Sequence, residues 1–370
     1  VAKVPPQIKV VLIDDSSVIR GALAKLLEED PSIKIVGTAA NGENGITVVQ
    51  RQKPHIVMLD IEMPVMDGLT ALPQILKASP DTKVIMFSAL TEQGASTTMK
   101  AMSLGAVECV VKPRAGEAKS GTDFHISLLR KIKALVPLEE RVSGLSVDAA
   151  PQPVKKHLVG DKTHAPTGGF ELRDNKLDFQ GKPKILAIGS STGGPQALFN
   201  VTKHLKGLNI PIVITQHMPA TFTKILAEHI TQQSGLECRE GENGMLVEAG
   251  KAYLAPGGFH MIFEHNDNGQ TVIKLDTGPA ENFCKPAVDV MLRSLQKLYG
   301  NKVLTIIMTG MGQDGLAAGQ ILVGAGARLI AQDEDTSVVW GMPGAVAKAG
   351  ICTAVLPLND IGPWIQKAVT

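Results

Sequence analysis

The sequence predicts two doubly wound α/β domains joined by an irregular linker. Three observations carry this. Short apolar runs alternate with amphipathic segments of helical period over the first 136 residues. The same alternation resumes at residue 184 and runs to residue 370. Between them, residues 137–183 hold prolines, glycines and mixed charges with no sustained period, as a semi-extended linker would.

In the first domain, residues 1–136, "KVVLI" is a strand that ends at Asp14-Asp15. The next segment sets Val18, Ile19, Ala22, Leu23, Leu26 and Leu27 on one helical face. "IKIVGTA", "HIVMLD", "KVIMFSA" and "AVECVVKP" read as further strands with helices between them, and residues 123–136 close the unit as a helix. Five strands alternating with five helices imply a parallel sheet covered on both faces. In the last domain, residues 184–370, "KILAIGS", "IPIVITQH", "KVLTIIMTG", "ARLIAQD" and "CTAVLPL" read as strands. Residues 236–278 break the rhythm and are expected to form a small insertion of short antiparallel strands, with a turn at "NDNG".

Composition excludes several classes. The net charge is +1 and aromatic residues make up 4%, so neither a basic footprint nor a set of stacking platforms points to nucleic acid. Cys109, Cys238, Cys284 and Cys352 are far apart and form no CxxC, which argues against a disulfide framework or a zinc site. No signal-peptide pattern and no apolar run of membrane-spanning length is present, and the chain is read as soluble and cytoplasmic, with no direct membrane insertion.

Functional residues of a parallel α/β sheet gather at the carboxyl ends of its strands. Asp14 and Asp15 end the first strand, Asp60 the third, Ser88 the fourth and Lys112 the fifth. Three converging carboxylates repel one another unless a cation joins them, and Mg²⁺ suits a site of few oxygen ligands. Lys112 adds a second positive charge, and Ser88 a hydroxyl, so the cluster suits placing a phosphoryl group on a carboxylate. A solvated loop or helix cap would explain Asp14-Asp15 alone, but not all five positions.

The stretches "VLIDDSS", "IVMLDIEMPVMDG", "VIMFSA" and "VVKP" resemble a response-regulator receiver domain, over about residues 8–130. The resemblance implies a flavodoxin-like sheet and Asp60 as phosphoacceptor. It implies Mg²⁺ held by Asp15, Asp60 and the backbone carbonyl of Glu62, with Asp14 nearby and Ser88 and Lys112 reading the phosphorylated state. Many receivers carry an aromatic residue three positions before the lysine; here that position is Cys109.

In the second domain the glycines of "AIGSSTGGPQAL" have the wrong spacing for a dinucleotide loop, and the next strand ends without an acid. Gly189-Ser190-Ser191-Thr192-Gly193 instead fits G-x-S-x-G between a strand and a helix, which exposes the central serine, Ser191, at the sheet edge. A serine nucleophile needs a base, and the base an orienting acid. His217 and Asp314 lie at strand ends on the same rim, with His260 as a rival base in the insertion and Asp333 and Asp335 as rival acids. Thr192 N–H is a natural oxyanion donor, and the Met311 loop a second.

Six stretches of this domain, "AIGSSTGGPQAL", "ITQHMP", "YLAPGGFHM", "CKPAVDVM", "MTGMGQDG" and "VVWGMPGAV", resemble the catalytic domain of chemotaxis protein-glutamate methylesterases, over about residues 184–368. The resemblance implies a Rossmann-like esterase domain with Ser191 as nucleophile, His217 as base and then acid, and Asp314 as orienting carboxylate. It implies no cofactor for the ester chemistry, a second activity of glutamine deamidation, a chemotaxis histidine kinase as phosphodonor and methyl-accepting chemotaxis receptors as substrate. The competing readings are a receiver fused to a non-catalytic anion- or protein-binding module, and a DNA-binding regulator. No helix-turn-helix pattern supports the latter.

Overall fold

The computed structural model describes residues 6–88, 91–112, 121–136, 170–173 and 181–369. The first unit is a five-stranded parallel sheet in the order β2-β1-β3-β4-β5. Its strands are β1 (Ile8–Ile13), β2 (Ile33–Ala39), β3 (Ile56–Asp60), β4 (Lys83–Ser88) and β5 (Glu108–Val111). Helices α1 (Ser17–Glu28), α2 (Gly42–Gln52), α3 (Gly68–Ala78), α4 (Glu92–Ser103) and α5 (Gly121–Leu135) separate and follow them. All but the edge strand β2 are buried on both faces, which is why they read as apolar runs rather than alternating ones. Strand order reverses between β1 and β3, so the crevice at their carboxyl ends lies between Asp14 and Asp60.

Helix α3 begins against that crevice. Asp67 caps it by accepting from Thr70 N at 2.7 Å. Gly68 N–H donates to Ile61 O, and a Cβ at Gly68 would lie 1.9 Å from the carbonyl oxygen of Asp60. Glycine at this position is therefore what lets the helix start beside Asp60.

The second unit is a seven-stranded parallel sheet, β14-β13-β12-β6-β7-β9-β8. It contains β6 (Ile185–Ser190), β7 (Ile212–Gln216), β8 (Cys238–Glu240), β9 (Ala252–Leu254), β12 (Val303–Ile307), β13 (Arg328–Gln332) and β14 (Ala354–Leu356). Its helices include α6 (Gly194–Thr202), α7 (Ala220–Ser234) and α8 (Val288–Tyr299), followed by α9 (Leu316–Gly324), α10 (Met342–Lys348) and α11 (Leu358–Val369). The chain leaves β6 toward β7, then returns to place β12 on the other side of β6. That reversal sets a crevice at the carboxyl ends of β6, β7 and β12.

The small antiparallel insertion is present but shorter than residues 236–278: β10 (His260–His265) and β11 (Thr271–Asp276) form a hairpin turned at Asn266–Gly269, and Leu246 bridges Val272 antiparallel beside it. β8 and β9 pair in parallel and extend the main sheet past β7. Three-residue strands carry too little pattern to reveal direction; the returning helix α7, packed on both, makes the crossover parallel.

The linker expected at 137–183 falls largely outside the described residues, and of the described ones residues 170–173 lie on the second unit. Arg173 N donates to Cys352 O, its guanidinium donates to Val323 O, and Phe170 packs on Trp340. The two units also meet directly through α4, β5 and α5. One apolar cluster runs from Leu59 and Met86 through Met99 and Met102 to Leu198 and Phe222.

Candidate active site and phosphorylation site

In the first unit, Lys112 Nζ lies 2.8 Å from Asp14 Oδ2 and 2.6 Å from Asp60 Oδ2. Asp14 and Asp60 are buried and Asp15 is exposed at the rim. Burial, and then the nearby Asp14 charge, push the Asp60 carboxyl above its ordinary range, while Lys112 opposes them. The Lys112 ammonium is itself raised: burial works against it, but the two carboxylates outweigh burial. Asp14, Asp15 and Asp60 each bring a carboxylate oxygen within 4.8 Å of the others. This all-oxygen donor set, with net negative charge and an open side, fits Mg²⁺. Asp15 and Glu62 also line a surface cavity with Met63 and Thr97 that opens beside this cluster. Cys109 is buried on β5, and burial pushes its thiol up to about 12.

In the second unit, Ser191 follows β6, His217 follows β7 and Asp314 lies in the loop after β12. The turn that carries Ser191 is built from small residues. Ser191 N donates to Thr309 O, and Ser191 O accepts from Gly194 N and from Gln216 Nε2. Ser190 is fully buried and donates to Gln216 Oε1 at 2.7 Å, so it supports the turn, whereas Ser191 keeps a small exposed fraction of 9%. A Cβ at Gly310 would lie 2.8 Å from Ser191 Cβ, and one at Gly194 would lie 1.9 Å from Gln216 Oε1. The loop therefore closes on the serine only with glycine at both places.

His217 N donates to Ser190 O, which ties the end of β7 to the serine turn. Its Nε2 lies 2.8 Å from Asp314 Oδ2. Asp314 also accepts from Val288 N at 2.6 Å, Asp289 N at 2.9 Å and Asn282 Nδ2 at 3.0 Å. The first two donors sit at the N-terminus of α8, where a carboxylate is favoured. Burial would raise the Asp314 carboxyl, but its contacts with His217 and these N–H groups hold it below the ordinary range. Burial likewise works to lower His217, but the Asp314 hydrogen bond, and then Cys284, push it up to about 9. An Nε2–H donated to Asp314 leaves Nδ1 as the basic nitrogen, and Cys284 Sγ lies 3.3 Å from it.

Among the described residues no acceptor takes the backbone N–H of Thr192 or of Met311. Both N–H groups flank the serine turn, from the β6 and β12 sides. The rivals fall elsewhere. His260 is buried, with Nδ1 accepting from Ala287 N and Nε2 against Pro279 O, so it braces a loop rather than lining the crevice. Asp333 closes a turn on Thr336, and Asp335 is exposed in that turn.

Sequence reasoning missed three residues here. Asn282 and Cys284 reach Asp314 and His217 from one turn. Glu108 of β5 accepts from Thr192 Oγ1 at 2.6 Å and pairs with Lys131 at 2.8 Å. Gly193 N also donates to Val107 O, and Gln196 Nε2 donates to Met102 O and Ala106 O. The first unit thus holds the segment that carries the serine.

An aspartate-centred acidic crevice on one sheet, joined to a serine–histidine–aspartate rim on another, defines a response regulator with a hydrolase output domain. Residues 10–118 match the response regulator receiver domain family, and residues 186–365 the family described as CheB methylesterase. A protein-glutamate methylesterase/protein-glutamine glutaminase of Rhodospirillum centenum, of its group 2 operon, is 47% identical over 97% of this chain and 93% of its own length. Similar proteins so named are 47% identical in Paramagnetospirillum magneticum, over 97% of this chain and 96% of theirs, and 48% identical in Azospirillum brasilense, over 97% and 92%. The chain belongs to the CheB methylesterase family, with a receiver domain at its N-terminal side. It is a carboxylic ester hydrolase of the protein-glutamate methylesterase type. Its receiver implies Mg²⁺-dependent phosphorylation by a histidine kinase, and its family implies chemoreceptor substrates. No helix among the described residues is long and apolar enough to cross a membrane.

Proposed function

We propose that Ser191, His217 and Asp314 hydrolyse glutamyl γ-methyl esters, and deamidate particular glutamines, on the cytoplasmic helices of methyl-accepting chemotaxis receptors. The observation that carries this reading is the 2.8 Å contact of His217 Nε2 with Asp314, which leaves Nδ1 as base on the rim that holds Ser191. Ser191 Oγ attacks the ester carbonyl as His217 Nδ1 takes its proton. The oxyanion is held by the N–H groups of Thr192 and Met311. His217 then protonates the departing methoxide, and water admitted to the crevice repeats the sequence on the acyl-enzyme, leaving a carboxylate. With glutamine the leaving group is ammonia. No metal or organic cofactor enters these steps, and the enzyme works in the cytoplasm, where the receptor helices lie.

The receiver controls access. Asp60 is the phosphoacceptor, Asp15, Asp60 and the carbonyl of Glu62 are the groups that would hold Mg²⁺, and Asp14, Ser88 and Lys112 support the site. Mg²⁺ would supply positive charge to the transferring phosphoryl oxygens. Lys112 is committed to Asp14 and Asp60 in this state. Recruiting it to a phosphoryl group would shift β5 and Val107 just before it, where Glu108 and Val107 hold Thr192 and Gly193. Contacts at Thr192, Gly193 and Gln196 support a receiver that restrains the serine turn before phosphorylation.

An activated acyl ester and intact-mass analysis test the chemistry. The reading expects one acyl adduct, mapping to the peptide that holds Ser191 and absent in Ser191→Ala. An adduct elsewhere, or none in folded enzyme that turns over the ester, would contradict it.

A further inference from the structure

The segment Pro279–Ala287, between β11 and α8, is braced at both ends by His260, which contacts Pro279 O at 2.9 Å and accepts from Ala287 N at 3.1 Å. Inside it, Glu281 and Cys284 exchange two backbone hydrogen bonds, of 3.1 and 2.9 Å. The two residues between them, Asn282 and Phe283, have φ of +52° and +64°. Two successive left-handed residues make the tight turn of a two-residue hairpin. Glu281 is fixed in turn by paired contacts with Arg293 of α8.

This turn sends alternate side chains to opposite sides. Phe283 points outward, with the Arg130 guanidinium of α5 over its ring at 4.6 Å. Asn282 points inward, and its Nδ2 donates to Asp314 Oδ1 at 3.0 Å and to Asp289 Oδ2 at 3.1 Å. Cys284 points inward to His217 Nδ1. Asp289 and Asp314 are both buried, and two adjacent carboxylates repel unless donors lie between them. Asp289 Oδ1 is held by Ala318 N at 2.7 Å, so each carboxylate keeps one oxygen on the Asn282 amide. Asparagine suits the place twice: it tolerates the left-handed backbone, and its NH₂ offers two donors. Among the described residues, Asn282 and His217 are the two side chains hydrogen-bonded to Asp314; its other partners are backbone N–H groups.

We propose that Asn282 is a positioning residue of the esterase, acting through Asp314. Its amide separates Asp314 from Asp289 and sets the carboxylate plane, so that Oδ2 meets His217 Nε2–H and the imidazole presents Nδ1 toward Ser191. The turn that carries it also touches that Nδ1 through Cys284, so the frame fixing the acid fixes the base. The proposal rests on the Ser191–His217–Asp314 reading.

The test compares the full-length protein with Asn282→Gly, Asp314→Asn and the double variant, by steady-state methanol release with phosphodonor and Mg²⁺ present. Glycine keeps the left-handed backbone and removes only the amide. The expected result is a kcat lower by about tenfold or more in Asn282→Gly, with KM within about twofold, because a misplaced orienting group costs rate rather than binding. In the Asp314→Asn background the same change should cost less than about twofold, since a residue acting through Asp314 has nothing left to position. Unchanged kcat in Asn282→Gly, or equal losses in both backgrounds, would overturn the proposal alone. Full activity of Asp314→Asn would overturn the triad reading and the proposal with it. If Asn282→Gly does not fold, Asn282→Ala removes the amide without adding a charge and is read in the same two backgrounds by the same criteria.

Discussion

Thr192 Oγ1, one residue past Ser191, donates a 2.6 Å hydrogen bond to Glu108 Oε2 on the last strand of the receiver sheet. Glu108 lies four residues before Lys112, which bridges Asp14 and Asp60. A single short strand therefore joins the phosphorylation crevice to the serine turn. If that contact restrains the turn, Glu108→Ala should raise methanol release in the absence of phosphodonor. A hydrogen bond to a charged group is worth about 1.5–3 kcal/mol, so the gain should be roughly tenfold or more if this contact dominates the restraint. An unchanged basal rate in folded protein would show that the restraint lies elsewhere. Deleting residues 1–140 should raise the basal rate further, and an equal or lower rate in a folded fragment would sink the occlusion account.

Asp314→Asn should lower kcat by about 10⁴, the scale seen when the orienting acid of a serine triad loses its charge. KM should change little. A loss under about tenfold would remove Asp314 from the acid's role.

The pH dependence follows from His217, raised from 6.5 to about 9. The base must be neutral to accept the Ser191 proton, so kcat/KM should climb toward alkaline pH with its inflection displaced upward from 6.5. Stability runs the other way. The folded state holds this proton more tightly than the unfolded chain, so the contribution is fully present below about pH 6.5 and is lost as pH rises through about 9. Asp314→Asn should move the kinetic inflection down and flatten the alkaline loss in thermal melts. An inflection at or below 6.5 in wild type would contradict this.

Removing divalent cation with a chelator should abolish stimulation by a small phosphodonor and leave the basal esterase rate within about twofold, because the acidic crevice and the serine rim are separate sites. Asp60→Asn should behave as the chelated enzyme does. A chelator that stopped basal hydrolysis would place a metal in the ester chemistry.

Both sheets were legible in the sequence because fully buried parallel strands stand out as apolar runs between amphipathic helices. The acidic cluster and the positions of Ser191, His217 and Asp314 followed from strand ends, since chain direction alone puts them on common rims. The direction of β8 and β9 was not legible, because three residues carry too little pattern and the helix that sets the direction of β8, α7, precedes both strands. Asn282 and Cys284 were hidden for a different reason. Their turn lacks the glycine that marks most tight hairpins, and its partners lie in other segments. Glu108 did leave a signal: a lone acid inside the strand "AVECVV" must find a cation or donor when buried, and it finds Lys131 and Thr192. What the sequence could not supply was the partner, 84 residues away.

A Ser191 esterase governed by Asp60 is read out by methanol release from methylated receptor membranes, using wild type, Ser191→Ala and Asp60→Asn, each with and without a small phosphodonor and Mg²⁺. Release should rise with phosphodonor in wild type, stay at the basal rate in Asp60→Asn, and be absent in Ser191→Ala under both conditions. Release that persists in folded Ser191→Ala, or stimulation that persists in Asp60→Asn, would contradict it.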